Sequence, residues 1–262
     1  MTSKTEPRLL CYDLGEGVTA FSTTRHGGVS EANYASFNIN PYCGDSADHV
    51  ARNRQLLADR LGLPASHIVL PHQVHGIEHR AVASELLDMS DAVRDKILDG
   101  VDMVTTSMTG VCIGVSTADC IPVLLYDPVA RATAAIHAGW RGTLQRICQR
   151  AVMAMQLHYG TTPDRLRAVV GPGISLANFE VGQEVYDQFL QAGFDLTETA
   201  EWHTKWHLDL PGINIRELIG CGVTPEHIHH AGICTFDHAD DYFSARRLGI
   251  DSGRIYTGIL MR

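Results

Sequence analysis

No stretch of this chain reaches the roughly 18 to 20 consecutive apolar residues that cross a bilayer, and its opening, MTSKTEPRLLCYDLGEG, holds no apolar run of signal-peptide length. These absences argue against a membrane partner and make the cytoplasm the expected location. Basic residues are in deficit, with 21 Lys and Arg against 30 Asp and Glu and a formal net charge of −9. That balance argues against nucleic acid, whose phosphates require a basic face, while leaving room for a local basic pocket. Repeats, low-complexity tracts and long Gly/Ser/Pro linkers are missing as well. Nothing therefore marks a boundary between independently folding parts, and residues 1–262 are read as a single domain. Cysteines are too few for a disulfide framework: there are seven, an odd number, scattered through a chain large enough to fold without staples. Reduced thiols are expected, most of them buried as small hydrophobes.

What the chain does have is an ordinary globular mix, 45% hydrophobic and 19% charged, with 14 histidines. Gly17 to Thr24 reads as a strand running into the loop Arg25-His26-Gly27-Gly28. Ala47 to Leu61 reads as a helix, capped by Asp45 or Ser46 and ended by Gly62. GVCIGVSTADCIPVLLY, from Gly110 to Tyr126, holds two apolar runs around a small polar insert and predicts two buried strands. A third strand over Ala132 to Ala138 ends at Gly139-Trp140-Arg141-Gly142, and a helix is predicted from about Thr143 to Tyr159. Further strands are expected at Arg167 to Val170, Leu208 to Leu210 and Arg254 to Met261, with helices at Gln183 to Gln191 and Ile213 to Ile219. Interleaved strands and helices predict an α/β or mixed α+β domain.

Three clusters put reactive side chains beside glycines or at strand ends: Pro71-His72-Gln73-Val74-His75-Gly76, Thr117-Ala118-Asp119-Cys120 and His137-Ala138-Gly139-Trp140-Arg141-Gly142. One thiol and imidazoles from separate segments suit Zn²⁺, and three protein ligands would leave a fourth position open, as catalytic zinc sites do. Taken alone, a cysteine in an apolar stretch such as Cys120 packs more often than it ligates. A second reading of the same atoms makes Cys120 a nucleophile with a histidine base and Asp119 as orienting group. Arg25, Arg141, Arg246 and Arg247 form a cationic set suited to phosphate oxygens, against the plainer reading of solvated surface charge. His227, His229 and His230 offer a further metal site or an exposed loop.

At these clusters the chain resembles the YfiH family, also called the laccase-domain or multicopper polyphenol oxidase family. The likeness runs from Thr24-Arg25 and Gly27-Gly28-Val29-Ser30, through Gly44-Asp45, Asn53-Arg54 and Gln73-Val74-His75-Gly76, to Thr117-Ala118-Asp119-Cys120. It continues in His137-Ala138-Gly139-Trp140-Arg141-Gly142, Gly171-Pro172, Phe179-Glu180-Val181-Gly182, Phe243-Ser244-Ala245-Arg246-Arg247 and Gly253-Arg254. The resemblance implies a β-sandwich core flanked by helices in four layers, similar to the catalytic domain of cytotoxic necrotizing factor, which uses a Cys/His pair. It implies metal ligands at His75, Cys120 and His137, with His72 outside the motif. The implied activity is phosphorolysis of adenosine, inosine, guanosine and methylthioadenosine, together with adenosine deamination, so that the partners are purine nucleosides and phosphate. Asp119 or Glu180 is the candidate proton carrier, and Arg25, Arg141 and Arg246 are the candidate phosphate holders.

The family is also linked to editing of peptidoglycan precursors by amide hydrolysis, which stays open as an alternative. Oxidation by four coppers fits the chain less well, because it has one His-x-His, His227 to His229, and no His-Cys-His. Cu²⁺ can nevertheless take a zinc site of the same ligands. Two positions depart from the family pattern: Tyr42 stands where relatives commonly carry histidine, and Ala245 where they carry an aromatic residue.

Overall fold

The computed structural model describes residues 5–262. The strands are β1 (Leu9–Tyr12), β2 (Val18–Thr23), β3 (Ile68–Val69), β4 (Glu78–Ala81), β5 (Val101–Thr106), β6 (Cys112–Thr117) and β7 (Ile121–Asp127). They continue with β8 (Ala132–Ala138), β9 (Arg167–Val170), β10 (Glu180–Val181), β11 (Ala200–Trp202), β12 (Trp206–Leu208), β13 (Ile228–His230) and β14 (Ile255–Met261). The helices are α1 (Ala47–Leu61), α2 (Ser84–Asp88), α3 (Asp91–Leu98), α4 (Trp140–Leu144), α5 (Ile147–Tyr159), α6 (Gln183–Gln191), α7 (Leu210–Gly220) and α8 (Ala245–Leu248).

Two large sheets carry the architecture, one of five strands in the order β1-β2-β14-β6-β3 and one of six in the order β13-β9-β7-β8-β5-β4; β10, β12 and β11 form a small third sheet. Successive side chains of a strand point to opposite faces, so each central strand feeds two cores. Ile113, Val115 and Ile259 of the first sheet meet Val104, Leu124, Ala135 and Val169 of the second, closing a sandwich. The other face of the five-stranded sheet, with Phe21, Cys112, Tyr256 and Leu260, packs on Leu57, Ala58 and Leu61 of α1. The other face of the six-stranded sheet, with Met103, Val123, Leu125 and Ile136, packs on α5, α6 and α7 through Ala151, Val152, Phe189 and Ile213. Four layers result, helix–sheet–sheet–helix, and they match the expected class. Strands β6, β7 and β8 are buried at every position, which is why they read as continuous apolar runs rather than alternating ones. Each fully buried aliphatic or aromatic side chain in them contributes on the order of 1.5–3 kcal/mol.

Four expectations need correction. The helix predicted from Thr143 to Tyr159 is broken into α4 and α5, because Arg146 adopts a left-handed conformation at φ 60°; its guanidinium pairs with Glu217 and lies over the Phe194 ring. Neither predicted cap of α1 uses its side chain on the helix: the Asp45 carboxylate instead accepts from Ser30 Oγ at 2.7 Å and Asn38 Nδ2 at 2.9 Å, tying down a loop. Leu210 opens α7 rather than extending a strand, since Asp209 caps that helix by accepting from the Gly212 amide at 3.0 Å. The histidine-rich stretch ending at His230 reads as a loop in sequence, yet Ile228–His230 is a strand pairing in parallel with β9.

Candidate metal centre and active site

The site forms where the chain passes from one sheet to the other. Strand β6 ends at Thr117 in the five-stranded sheet, and β7 begins at Ile121 in the six-stranded sheet. Ala118-Asp119-Cys120 makes the corner, with Asp119 at φ 84°, a left-handed conformation that non-glycine residues seldom adopt. Its buried carboxylate holds that turn by accepting from Thr235 Oγ1 at 2.7 Å and from the Arg246 amide at 2.6 Å. Cys120 is thereby presented beside the end of β8, where Ile121 pairs with Ala138 and Pro122 with His137.

His75 arrives from the loop between β3 and β4. Gln73 fixes that loop to the end of β6: its side-chain nitrogen donates to Ser116 O at 2.8 Å, and its side-chain oxygen accepts from the Ser116 amide at 2.8 Å. His75 also has a left-handed backbone, at φ 62°. The ligand atoms of His75, Cys120 and His137 lie within 4.8 Å of one another, and among the described residues they are the one group of three or more such donors to converge. Gly139 allows the approach. A Cβ built there would stand 3.0 Å from His75 Cδ2 and 3.1 Å from Cys120 Sγ, tighter than side-chain contacts ordinarily are.

Asp102, on β5, organises the group and was missed from the sequence. It is fully buried; its carboxylate accepts from the amides of Val74, His75 and Gly76 at 3.2, 3.0 and 2.7 Å and from His137 Nδ1 at 2.7 Å. A carboxylate can only accept, so Nδ1 carries a proton in either charge state of His137, and when the ring is neutral its lone pair lies on Nε2. The signal was present: a lone charge in the strand Val101–Thr106, otherwise apolar or hydroxylic, is seldom buried without a partner.

The electrostatics follow from this packing. Burial alone would raise the Cys120 thiol, but the charge and hydrogen bond of His137, then those of His75, bring it down to about 6. Burial would lower His137, yet Cys120 and Asp102 raise it to about 9. Burial would likewise raise Asp102, but the hydrogen bond and charge of His137, joined by the Gly76 and Val74 amides, hold it below its usual value. Without a metal, the pair is thus thiolate and imidazolium near neutral pH, which suits either a ligand or a nucleophile.

The cluster opens into a cavity of about 200 Å³ lined also by Tyr42, His72, Thr117, Ala245 and Arg254. His72 stays out of the donor cluster; its Nδ1 contacts Asp99 at 2.6 Å and its ring stacks on Tyr42 with centroids 4.2 Å apart. The three arginines read as phosphate holders, Arg25, Arg141 and Arg246, do not line this cavity, nor does Arg247. Arg25 spends Nε on Ala35 O at 2.8 Å and Nη1 on Ala239 O at 2.7 Å. Arg141 lies over Trp140, Arg246 donates to Glu180 O at 3.1 Å and Arg247 to Phe236 O at 3.0 Å. The two candidate proton carriers are engaged elsewhere too, Asp119 in its turn and Glu180 with Lys205 at 2.7 Å. His229 and His230 follow one another on a strand and point to opposite faces, and among the described residues His227, His229 and His230 do not converge as a group of three metal donors.

Fold and site together define a helix-flanked β-sandwich with a Cys/His/His centre at the corner between its sheets. The family model described as multi-copper polyphenol oxidoreductase laccase matches residues 19–262, and the chain belongs to that family, the YfiH or laccase-domain proteins. It is 44% identical over 247 residues, 93% of this chain and 92% of the relative, to a purine nucleoside phosphorylase of Bacteroides thetaiotaomicron. It is 40% identical to adenosine deaminase RL5 of an unknown prokaryotic organism, covering 93% and 94% of the two chains. The crystal structure of the Bacillus licheniformis hypothetical protein YfiH superposes with a TM-score of 0.90 at 28% identity, covering 98% of this chain and 97% of that one. Among the described residues no helix is long and apolar enough to cross a membrane.

Proposed function

We propose that the chain is a single-domain, zinc-dependent purine nucleoside phosphorylase acting on adenosine, inosine, guanosine and methylthioadenosine, with adenosine deaminase activity. The observation that carries the reading is the convergence of His75, Cys120 and His137 on one cavity, in a chain whose relatives of 44% and 40% identity bear those two activities as names. The donor set fits the metal: one thiolate and two imidazoles are ligands that Zn²⁺ accepts, and Cu²⁺ takes the same set. A bound zinc ion would supply Lewis-acid polarisation in the cavity. The chain's own contribution is to bring the three ligand atoms within 4.8 Å of one another in the folded state. Asp102 orients His137 and the His75 loop, Gly139 leaves room for sulfur and ring, and the two sheets enclose the corner from behind.

Amide hydrolysis is the second reading, favoured by the hydrogen-bonded series Asp102–His137–Cys120, which prepares a thiolate for attack. One experiment separates the two. Protein purified without added metal is assayed for metal content and then incubated with adenosine and inosine, with and without phosphate, beside Cys120→Ala. Stoichiometric zinc and phosphate-dependent release of adenine or hypoxanthine, both lost in the variant, are the expected outcome. Zinc-containing protein that leaves nucleosides untouched overturns the phosphorylase reading in favour of the amidase.

A further inference from the structure

Phosphorolysis needs an oxyanion held inside the cavity, and the arginines marked out by the sequence are elsewhere. Arg254 is the arginine that lines it, beside Cys120, His75 and His137, and none of the described residues lining it is an aspartate or glutamate. In a chain of 30 acidic residues and net charge −9, a pocket whose one permanent charge is the Arg254 guanidinium, with no carboxylate in its lining, favours an anion at that guanidinium. Arg254 also has no carboxylate partner within 4.0 Å among the described residues.

Its guanidinium is nevertheless held in place. Nη1 donates to Ser252 O at 2.6 Å and Gly253 O at 2.9 Å, Nη2 donates to Ile250 O at 3.0 Å, and the Arg254 amide donates to Asn38 Oδ1 at 3.1 Å. Those contacts use one hydrogen of Nη2 and leave its second hydrogen and the Nε hydrogen without an acceptor among the described residues. Nε–H lies on the side-on edge of the fork, and with the free Nη2 hydrogen it offers two donors to two oxygens of a phosphate. A second free polar group lies in the same cavity: Thr117 Oγ1, on a residue 1% exposed, has no hydrogen-bond partner among the described residues. A buried hydroxyl left unpaired in an otherwise satisfied site calls for a ligand.

We propose that Arg254, with the Thr117 hydroxyl, binds the phosphate co-substrate; the assignment rests on the phosphorylase reading above. An oxygen of hydrogen phosphate forms the bond to ribose C1′, and the bond from C1′ to the purine nitrogen breaks with its electron pair passing to the base. The base takes up one proton, balanced by the one that hydrogen phosphate loses, and the products are ribose 1-phosphate and free purine. Arg254 holds the attacking group against C1′ and stays charged throughout.

The test compares wild type, Arg254→Gln, Arg254→Lys and Thr117→Val, all zinc-loaded, by thermal melting with inorganic phosphate and by inosine phosphorolysis at varied phosphate. Phosphate should raise the melting temperature of wild type but not of Arg254→Gln, and Arg254→Gln should raise the phosphate KM about tenfold or more, as loss of a charge-assisted pair predicts. The nucleoside KM should move far less, a split that a merely structural role would not give. Arg254→Lys, which keeps the charge without the side-on edge, should fall between, and it keeps the test informative if Arg254→Gln fails to fold. Phosphate binding and phosphate KM unchanged in both Arg254 variants overturn the assignment. If wild type shows Arg254-dependent phosphate stabilisation yet releases no base, the anion site stands and the phosphorylase reading falls.

Discussion

Among single residues, Asp102 and Cys120 govern the site. Asp102 receives four hydrogen bonds, and Asp102→Asn would turn an amide group toward donors that need an acceptor. The substitution should cost about 1–3 kcal/mol of stability for the groups left unpaired and weaken zinc binding roughly 10–100-fold, as for other groups that orient a ligating histidine; a competition titration with a chromogenic chelator measures the second effect. Cys120 gives a pH prediction. Its thiol is lowered to about 6, so in metal-free protein the thiolate persists between about 6 and its ordinary value and is lost as pH falls through about 6. Iodoacetamide labelling of the Cys120 peptide, followed by mass spectrometry, should therefore show its inflection near 6. An inflection in the ordinary thiol range would mean that His137 does not carry the charge assigned to it.

Among the elements, the site depends on how a loop is fastened to a strand. Gln73 supplies a side-chain rung to the end of β6, satisfying both the amide and the carbonyl of Ser116. Gln73→Ala should free the loop that carries His75. We expect a loss of about 1–3 kcal/mol in denaturant unfolding and a weaker zinc affinity, with little change in circular dichroism because no helix or strand is removed. Local pattern predicted most elements: the buried runs became β6, β7 and β8, and Gly62 and Gly160 close α1 and α5 in left-handed conformations. Pattern failed at Arg146, where apolar spacing reads as one continuous helix but the pairing with Glu217, 71 residues away, accompanies a break. It failed again at His229 and His230, whose strand exists only because β9 lies alongside.

Across the whole molecule, a bound metal would join segments from both sheets, since Cys120 ends the crossing from β6 to β7, His137 lies on β8 and His75 on a loop beside β6. Binding to the folded state alone should stabilise it by about 4 kcal/mol at a thousandfold excess over the dissociation constant, roughly 10 °C in Tm for a chain of this size. Calorimetry before and after chelation should show that shift in wild type and not in Cys120→Ala; equal melting temperatures with and without metal would deny the site its role in joining the layers.

Linear pattern suffices for the class of fold, while the choice of His75, Cys120 and His137 as donors came from the family resemblance rather than from spacing. Buried strands declare themselves by unbroken apolar runs, and TADC and HAGWRG carry the thiol and imidazole in motifs specific enough to identify a family. Three things came from the packing instead: which arginine faces the cavity, that Asp102 stands behind His137, and that Gly139 must lack a side chain. The reason is that a guanidinium, a carboxylate and a missing Cβ act through neighbours distant in sequence. Arg25 and Arg254 look alike as residues near glycines, yet one is spent on carbonyls at Ala35 and Ala239 and the other borders the cavity with donors free. Only the meeting of the two sheets makes that difference.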